Sequence, residues 1–172
     1  MKTLLLAALT LALAPAWGQK LELKLDSVAA KASEKTEVDL AGPVLAAVLK
    51  NTASKGLDAI AANVTGVFVR SYEFANDGAF TDADLAPLRN QVAGTPGWSR
   101  IINVKEEKES TEIYMFSDAG KPAGFLLITA EPNELTVVHV QGAIQLAQLQ
   151  ELVQSSIQFE LKNLPVNAPK AQ

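Results

Sequence analysis

Four segments between residues 98 and 141 constrain this chain more than anything else in it. Residues 98–104, 111–117, 124–130 and 135–141 are rich in β-branched and aromatic side chains, as strands are. The breaks between them are short and carry turn chemistry. Residues 105–109 are a charged tip, 118–122 hold Gly120 and Pro122, and 131–134 hold Pro132 and Asn133. Parallel neighbours need a crossover of a dozen residues or more, so connectors of this length force antiparallel hairpins. The spacing predicts a four-stranded meander.

The segments before it change period. Residues 67–74 read as one more strand, with Phe68, Arg70, Tyr72 and Phe74 on one side and Val67, Val69 and Ser71 on the other. Asn76-Asp77-Gly78 is a turn. Thr81 and Asp84 have the spacing of a capping box, and Leu85, Leu88 and Val92 form the apolar stripe of a short helix that Gly94-Thr95-Pro96-Gly97 ends. After Gly142, a further amphipathic helix is expected from Leu146, Leu149, Leu152 and Val153.

Residues 19–65 read as a mostly helical N-terminal region packing on the sheet. Leu21, Leu23 and Leu25 alternate briefly, and residues 26–35 suit one short alanine-rich helix. Val38 and Leu40 alternate with acids, which fits a short strand or an extended link. Pro43 sits where a helix accepts its first residue, ahead of Val44, Leu45, Val48 and Leu49. A second helix follows Asn51, with Leu57, Ile60, Ala61 and Val64 in its stripe. The expected fold is α+β: a single domain whose mainly antiparallel sheet (strand, helix, four-stranded meander) is covered by helices on one face. Residues 66–158 form the sheet domain, and 159–172, with Pro165 and Pro169, a flexible tail.

The first eighteen residues have the anatomy of a secretory leader. Lys2 is a positive start, residues 4–14 are an apolar run too short to span a bilayer, and small residues follow. Cleavage is expected between Gly18 and Gln19, with the Ala16–Trp17 bond as second choice. A chain starting at Gln19 keeps 154 residues of the 172, with 14 basic and 19 acidic side chains. That chain is acidic, so the basic footprint of a nucleic-acid partner is missing. The absence of cysteine excludes disulfides, thiolate zinc sites, thiol nucleophiles and lipid attachment at an N-terminal cysteine. No later segment has the run of about 20 apolar residues a membrane span needs. The expected location is periplasmic or secreted.

Chemistry-bearing residues are sparse. His139 is the single imidazole and shares a strand face with Leu135 and Val137, a setting for packing more than for proton transfer. No Gly-x-Ser-x-Gly elbow and no phosphate-binding glycine motif occurs, and the Asn63-Val64-Thr65 acceptor tripeptide reads as incidental. Asp82 and Asp84 suit a helix's first turn, and Glu106, Glu107 and Glu109 are solvated charge. No catalytic, cofactor or metal-binding residue is assigned. One binding patch can be drawn on strand parity: Arg70 with Tyr72, and Trp98 with Arg100, the latter pair expected on one parity with Ile102 and Val104.

The segments 66–74 (Gly-Val-Phe-Val-Arg-Ser-Tyr-Glu-Phe), Leu88-Arg89, 97–101 (Gly-Trp-Ser-Arg-Ile) and 130–138 (Ala-Glu-Pro-Asn-Glu-Leu-Thr-Val-Val) occur in that order. Together, over roughly residues 25 to 155, they resemble an exported bacterial family known as domain of unknown function number 4252. The resemblance implies an α+β domain of bacterial envelopes, encoded near extracytoplasmic sigma and anti-sigma factors, and it supplies no activity and no catalytic residues. The expected function is a non-catalytic binding or sensing module with an envelope protein as partner. The alternatives are a small periplasmic enzyme using acidic residues or His139, and a carrier of a small apolar molecule held between sheet and N-terminal helices.

Overall fold

The computed structural model describes residues 21–51 and 63–144, and within them the meander is present with every neighbour antiparallel. Its strands are β3 (Trp98–Lys105), β4 (Ser110–Asp118), β5 (Lys121–Ala130) and β6 (Glu134–Gly142). The turns close as their residues dictate. Asp118 pairs with Lys121 around Ala119 and Gly120, both at positive φ (47° and 77°), the handedness that matches a twisted hairpin. Glu106 N–H donates to the Glu109 carbonyl, and Glu131 N–H to the Glu134 carbonyl, each at 2.8 Å.

Ahead of the meander lie α1 (Asp26–Ala29), β1 (Glu34–Ala41), α2 (Gly42–Asn51), β2 (Val64–Glu73) and α3 (Asp82–Gly94). The six strands run in the order β1-β2-β6-β5-β4-β3. The meander therefore folds back until β6 lies against β2, and α3 carries the chain from β2 to the far edge. The result is a single α+β domain with an open antiparallel sheet and, among the described residues, three helices.

Two local expectations change and one open alternative is decided. The helix over 26–35 stops at Ala29, because Ser33 donates from both its N–H (2.8 Å) and its hydroxyl (3.0 Å) to the Glu73 carbonyl and draws the chain into the sheet. The acid-flanked Val38 and Leu40 belong to a full edge strand, β1. Val64 opens β2 instead of closing a helix. The rest of that expected helix, the helix over 146–153, the leader and the tail lie outside the described residues. No described helix is long and apolar enough to cross a membrane.

The sheet has two unlike faces. On the first, Tyr72, Tyr114, Leu126, Ile128, Leu135 and Val137 meet Val28 of α1 and Leu85, Leu88 and Val92 of α3. Each of those three α3 side chains is essentially fully buried, worth about 2 kcal/mol apiece relative to exposure. The α3 start is fixed as its spacing predicts: the Asp84 carboxylate accepts from the Thr81 N–H (2.8 Å) and hydroxyl (3.0 Å). Lys31 then ties α1 to that carboxylate at 2.8 Å. On the second face, Phe125 and Val140 pack with Val64, Ile144 and Leu45 of α2. Coverage by helices on one face thus describes α1 and α3, while α2 sends Leu45 to the other.

Candidate functional site

Two rows of residues cross the first face from β3 to β2. Cross-strand pairing sets Arg100, Tyr114, Leu126, His139 and Phe68 side by side in one row. The next row is Trp98, Phe116, Gly124, Gln141 and Gly66. Two of its five positions are glycine. The gaps they leave let the large rings of this end of the sheet lean together over His139. The Phe68 ring stacks on the imidazole with centroids 5.6 Å apart, and it lies so close to Gly66 that a Cβ there would stand 2.8 Å from the ring edge. Trp98 approaches His139 to 5.7 Å between centroids, and Phe116 packs on Trp98 at 5.5 Å. Gly97, at φ +92°, brings Trp98 in; a Cβ on it would meet the Phe116 ring at 2.6 Å.

Two buried polar atoms of the cluster have no partner among the described residues. His139 is 2% exposed, and its Nε2 has no hydrogen-bond partner among the described residues; nor has the buried Trp98 Nε1–H. A buried polar atom without a partner costs about 1–3 kcal/mol, so each needs an explanation. Burial pushes the His139 imidazole down to about 4, well under its ordinary value. The ring is neutral at physiological pH and, among the described residues, has no carboxylate to orient it. What this arrangement offers a guest is an apolar wall, one indole donor and one imidazole nitrogen.

Sequence reasoning places His139 on the right face but misses its company, because Phe68, Trp98 and Phe116 come from three other strands. The four-residue patch divides into two pairs, since β6, β5 and β4 lie between β2 and β3. Arg70 is held by Asp39 and Glu37 of β1, and its guanidinium holds the Asp39 carboxyl below the usual carboxylate range. Tyr72 is buried in the core. Trp98 belongs to the imidazole cluster and Arg100 to a neighbouring ion-pair network. A bulge at Ile101 breaks the parity expected for β3: Trp98 and Arg100 face α3, whereas Ile102 and Val104 point to the opposite face.

That network centres on Glu112 of β4, the other polar side chain that the sheet buries among the described residues. Its carboxylate accepts from Arg89 Nε of α3 (2.7 Å), from the Tyr114 hydroxyl (2.6 Å) and from Arg100 (3.4 Å). Burial alone would raise the carboxyl; the Tyr114 hydroxyl and the Arg89 guanidinium outweigh it and hold it below its ordinary value. A signal for Glu112 is present in the sequence, where an acid shares strand parity with Tyr114 and Phe116. Both carboxylate oxygens are engaged here, and the network fastens α3 to the sheet.

At the other end of the sheet, a cleft of about 400 Å³ opens between the β3–β4 tip, Phe80 and Pro132. Burial together with Glu134 and Glu109 pushes the Glu131 carboxyl on its rim upward. Among the described residues, no group of three or more His, Asp or Glu side chains is placed to hold a metal ion.

The same motifs now have their places in the fold: Gly66 and Phe68 beside the imidazole, Leu88-Arg89 on α3, and Gly97-Trp98 against Phe116 and the imidazole. No curated protein matches the chain. The family model described as "Domain of unknown function (DUF4252)" matches residues 30–152, and the chain belongs to that family.

Proposed function

We propose that this chain is an exported envelope protein that works by binding, and that its ligand is a small apolar molecule carrying a hydroxyl group. One observation carries the reading: among the described residues, Trp98 Nε1 and His139 Nε2 are both buried and both unpaired in one cluster of aromatic rings. Indole N–H is a donor only, while a neutral imidazole nitrogen donates or accepts according to tautomer. A hydroxyl oxygen accepts from the indole and completes the pairing in either tautomer, while the rings of Phe68 and Phe116 take the apolar body. A neutral imidazole without a carboxylate partner suits this role better than it suits general-base chemistry. Export rests on the leader anatomy of residues 1–18.

Native mass spectrometry of the protein recovered from the cell envelope tests both parts. The reading expects a chain beginning at Gln19 with a small-molecule adduct, and no adduct on His139→Leu or Trp98→Phe. A bare wild-type chain, as expected if only a water bridges the two nitrogens, defeats the binding claim, and so does an adduct both variants retain. A chain that keeps residues 1–18 in the cytoplasm defeats export.

A further inference from the structure

The two edges of the sheet differ in charge and match in geometry. β1 carries Glu34, Lys35, Glu37 and Asp39, a net charge of −2; β3 carries Arg100 and Lys105, a net +2. Among the described residues each strand pairs on one side only, β1 with β2 and β3 with β4. Six strands that alternate in direction leave edges that run opposite ways. A copy shifted sideways by one sheet width therefore sets its β1 antiparallel to β3, same face to same face, without being turned over.

We propose that copies of this chain associate head to tail, β3 of one copy adding to β1 of the next as an antiparallel strand that continues the sheet. This goes beyond the ligand reading and is independent of it.

The face assignments fix a register. On the face that carries α3, Lys105 stands opposite Glu37 of the next copy and Asn103 opposite Asp39. On the other face Val104 meets Val38, and Ile102 meets Leu40. Val104 is 49% exposed and Ile101 38%, and both belong to β3. The charges have intramolecular partners already: Arg70 for Glu37 and Asp39, Glu112 for Arg100, Asp82 for Lys105. Even so, Glu37, Asp39, Arg100 and Lys105 each keep about half or more of the side chain in solvent, so a second partner can reach them.

Charge also discriminates between modes of pairing. Two β1 strands side by side would set −2 against −2, and two β3 strands +2 against +2, so the symmetric dimers repel while the head-to-tail contact attracts. The bulge at Ile101 ends the ladder after residues 102–105, so the contact is short and the association weak, reversible and salt-sensitive. A head-to-tail contact does not close on itself at two copies, so growth continues past the dimer.

Sedimentation velocity of the purified chain over a range of concentrations, at low ionic strength and again in about 0.5 M salt, reads this directly. The expected result is a mass that climbs past that of a dimer with concentration and falls in salt. Lys105→Glu and Glu37→Lys, both at exposed positions, each weaken assembly about tenfold. Mixing the two variants restores it. At one junction the carboxylate introduced at position 105 faces the ammonium introduced at position 37, and at the other the original pair forms. Circular dichroism confirms that each variant is folded; a third variant, Val104→Glu, which lowers the β3 charge and removes the apolar contact with Val38, gives the same loss should either reversal fail to fold. A strict monomer at low salt, an assembly that stops at a dimer, or a mixture that stays dissociated overturns the proposal.

Discussion

Glu112 and His139 are the two polar side chains buried by the sheet among the described residues, each 2% exposed, and they are provided for in opposite ways. Glu112 has two arginines and a tyrosine hydroxyl around it and stays charged. His139 has a phenylalanine and a tryptophan ring against it, stays neutral, and leaves Nε2 unpaired. A buried charge that is fully paired serves the fold, since removing it strands its partners. A buried neutral group that is left unpaired costs the fold something, and the proposed guest would complete its pairing. On one face of one sheet, the first arrangement is a fastening and the second a candidate site.

The widest separation between the two comes from deleting each. Glu112→Ala takes from the Arg89 guanidinium the nearer of its two carboxylates, leaving Asp82 at 3.3 Å, and it takes from the Tyr114 hydroxyl its acceptor; the expected loss is about 3 kcal/mol in urea unfolding. His139→Leu removes an unpaired polar atom and keeps an apolar volume in place, so stability holds or rises by about 1 kcal/mol. If the two variants lose equally, the contrast between fastening and site is wrong.

Acid titration separates them next. His139 has a folded value near 4 against an ordinary 6.5, so the unfolded chain takes up a proton first. Stability is then undiminished above pH 6.5 and falls by up to about 3 kcal/mol as pH drops toward 4. Glu112, held below its ordinary 4.5, contributes above that value and is lost only as pH falls further, through its folded value. Unfolding free energy measured between about pH 7 and 4 is expected to slope in the wild type and to flatten in His139→Leu. An equal slope in both would assign the effect to other groups.

Gly97→Ala comes third. It forces a side chain into φ +92° and against the Phe116 ring, which is expected to cost about 2 kcal/mol and to push Trp98 away from the imidazole. The smallest effect lies outside both regions: Lys31→Ala removes an exposed pair with Asp84 and costs less than about 1 kcal/mol. Thermal unfolding ranks these two, and the reverse order would mean that the Gly97 turn relaxes freely.

How much of this the sequence discloses follows from the range of each signal. The meander is legible because hairpin connectors act over about two to five residues, and the α3 start because Thr81 and Asp84 are three residues apart. The β3 parity is not legible, since one extra residue at Ile101 leaves the composition of a strand unchanged while reversing its faces. β1 is ambiguous because an edge strand is guarded by the same charges that mark a link. The imidazole cluster is hidden for a different reason: its members lie as far apart as residues 68 and 139, and only the strand order brings them together.

In a chain starting at Gln19, Trp98 is the single indole, and its ring N–H gives one isolated proton–nitrogen resonance. The most direct test follows that resonance while an extract of envelope small molecules is added to the wild type and to His139→Leu. Binding at the cluster predicts a downfield shift of the indole proton in the wild type, as a hydroxyl oxygen accepts from it, and no shift in the variant. An indole resonance that stays where it is in the wild type, or moves alike in both proteins, would contradict the claim that Trp98 and His139 form a binding site.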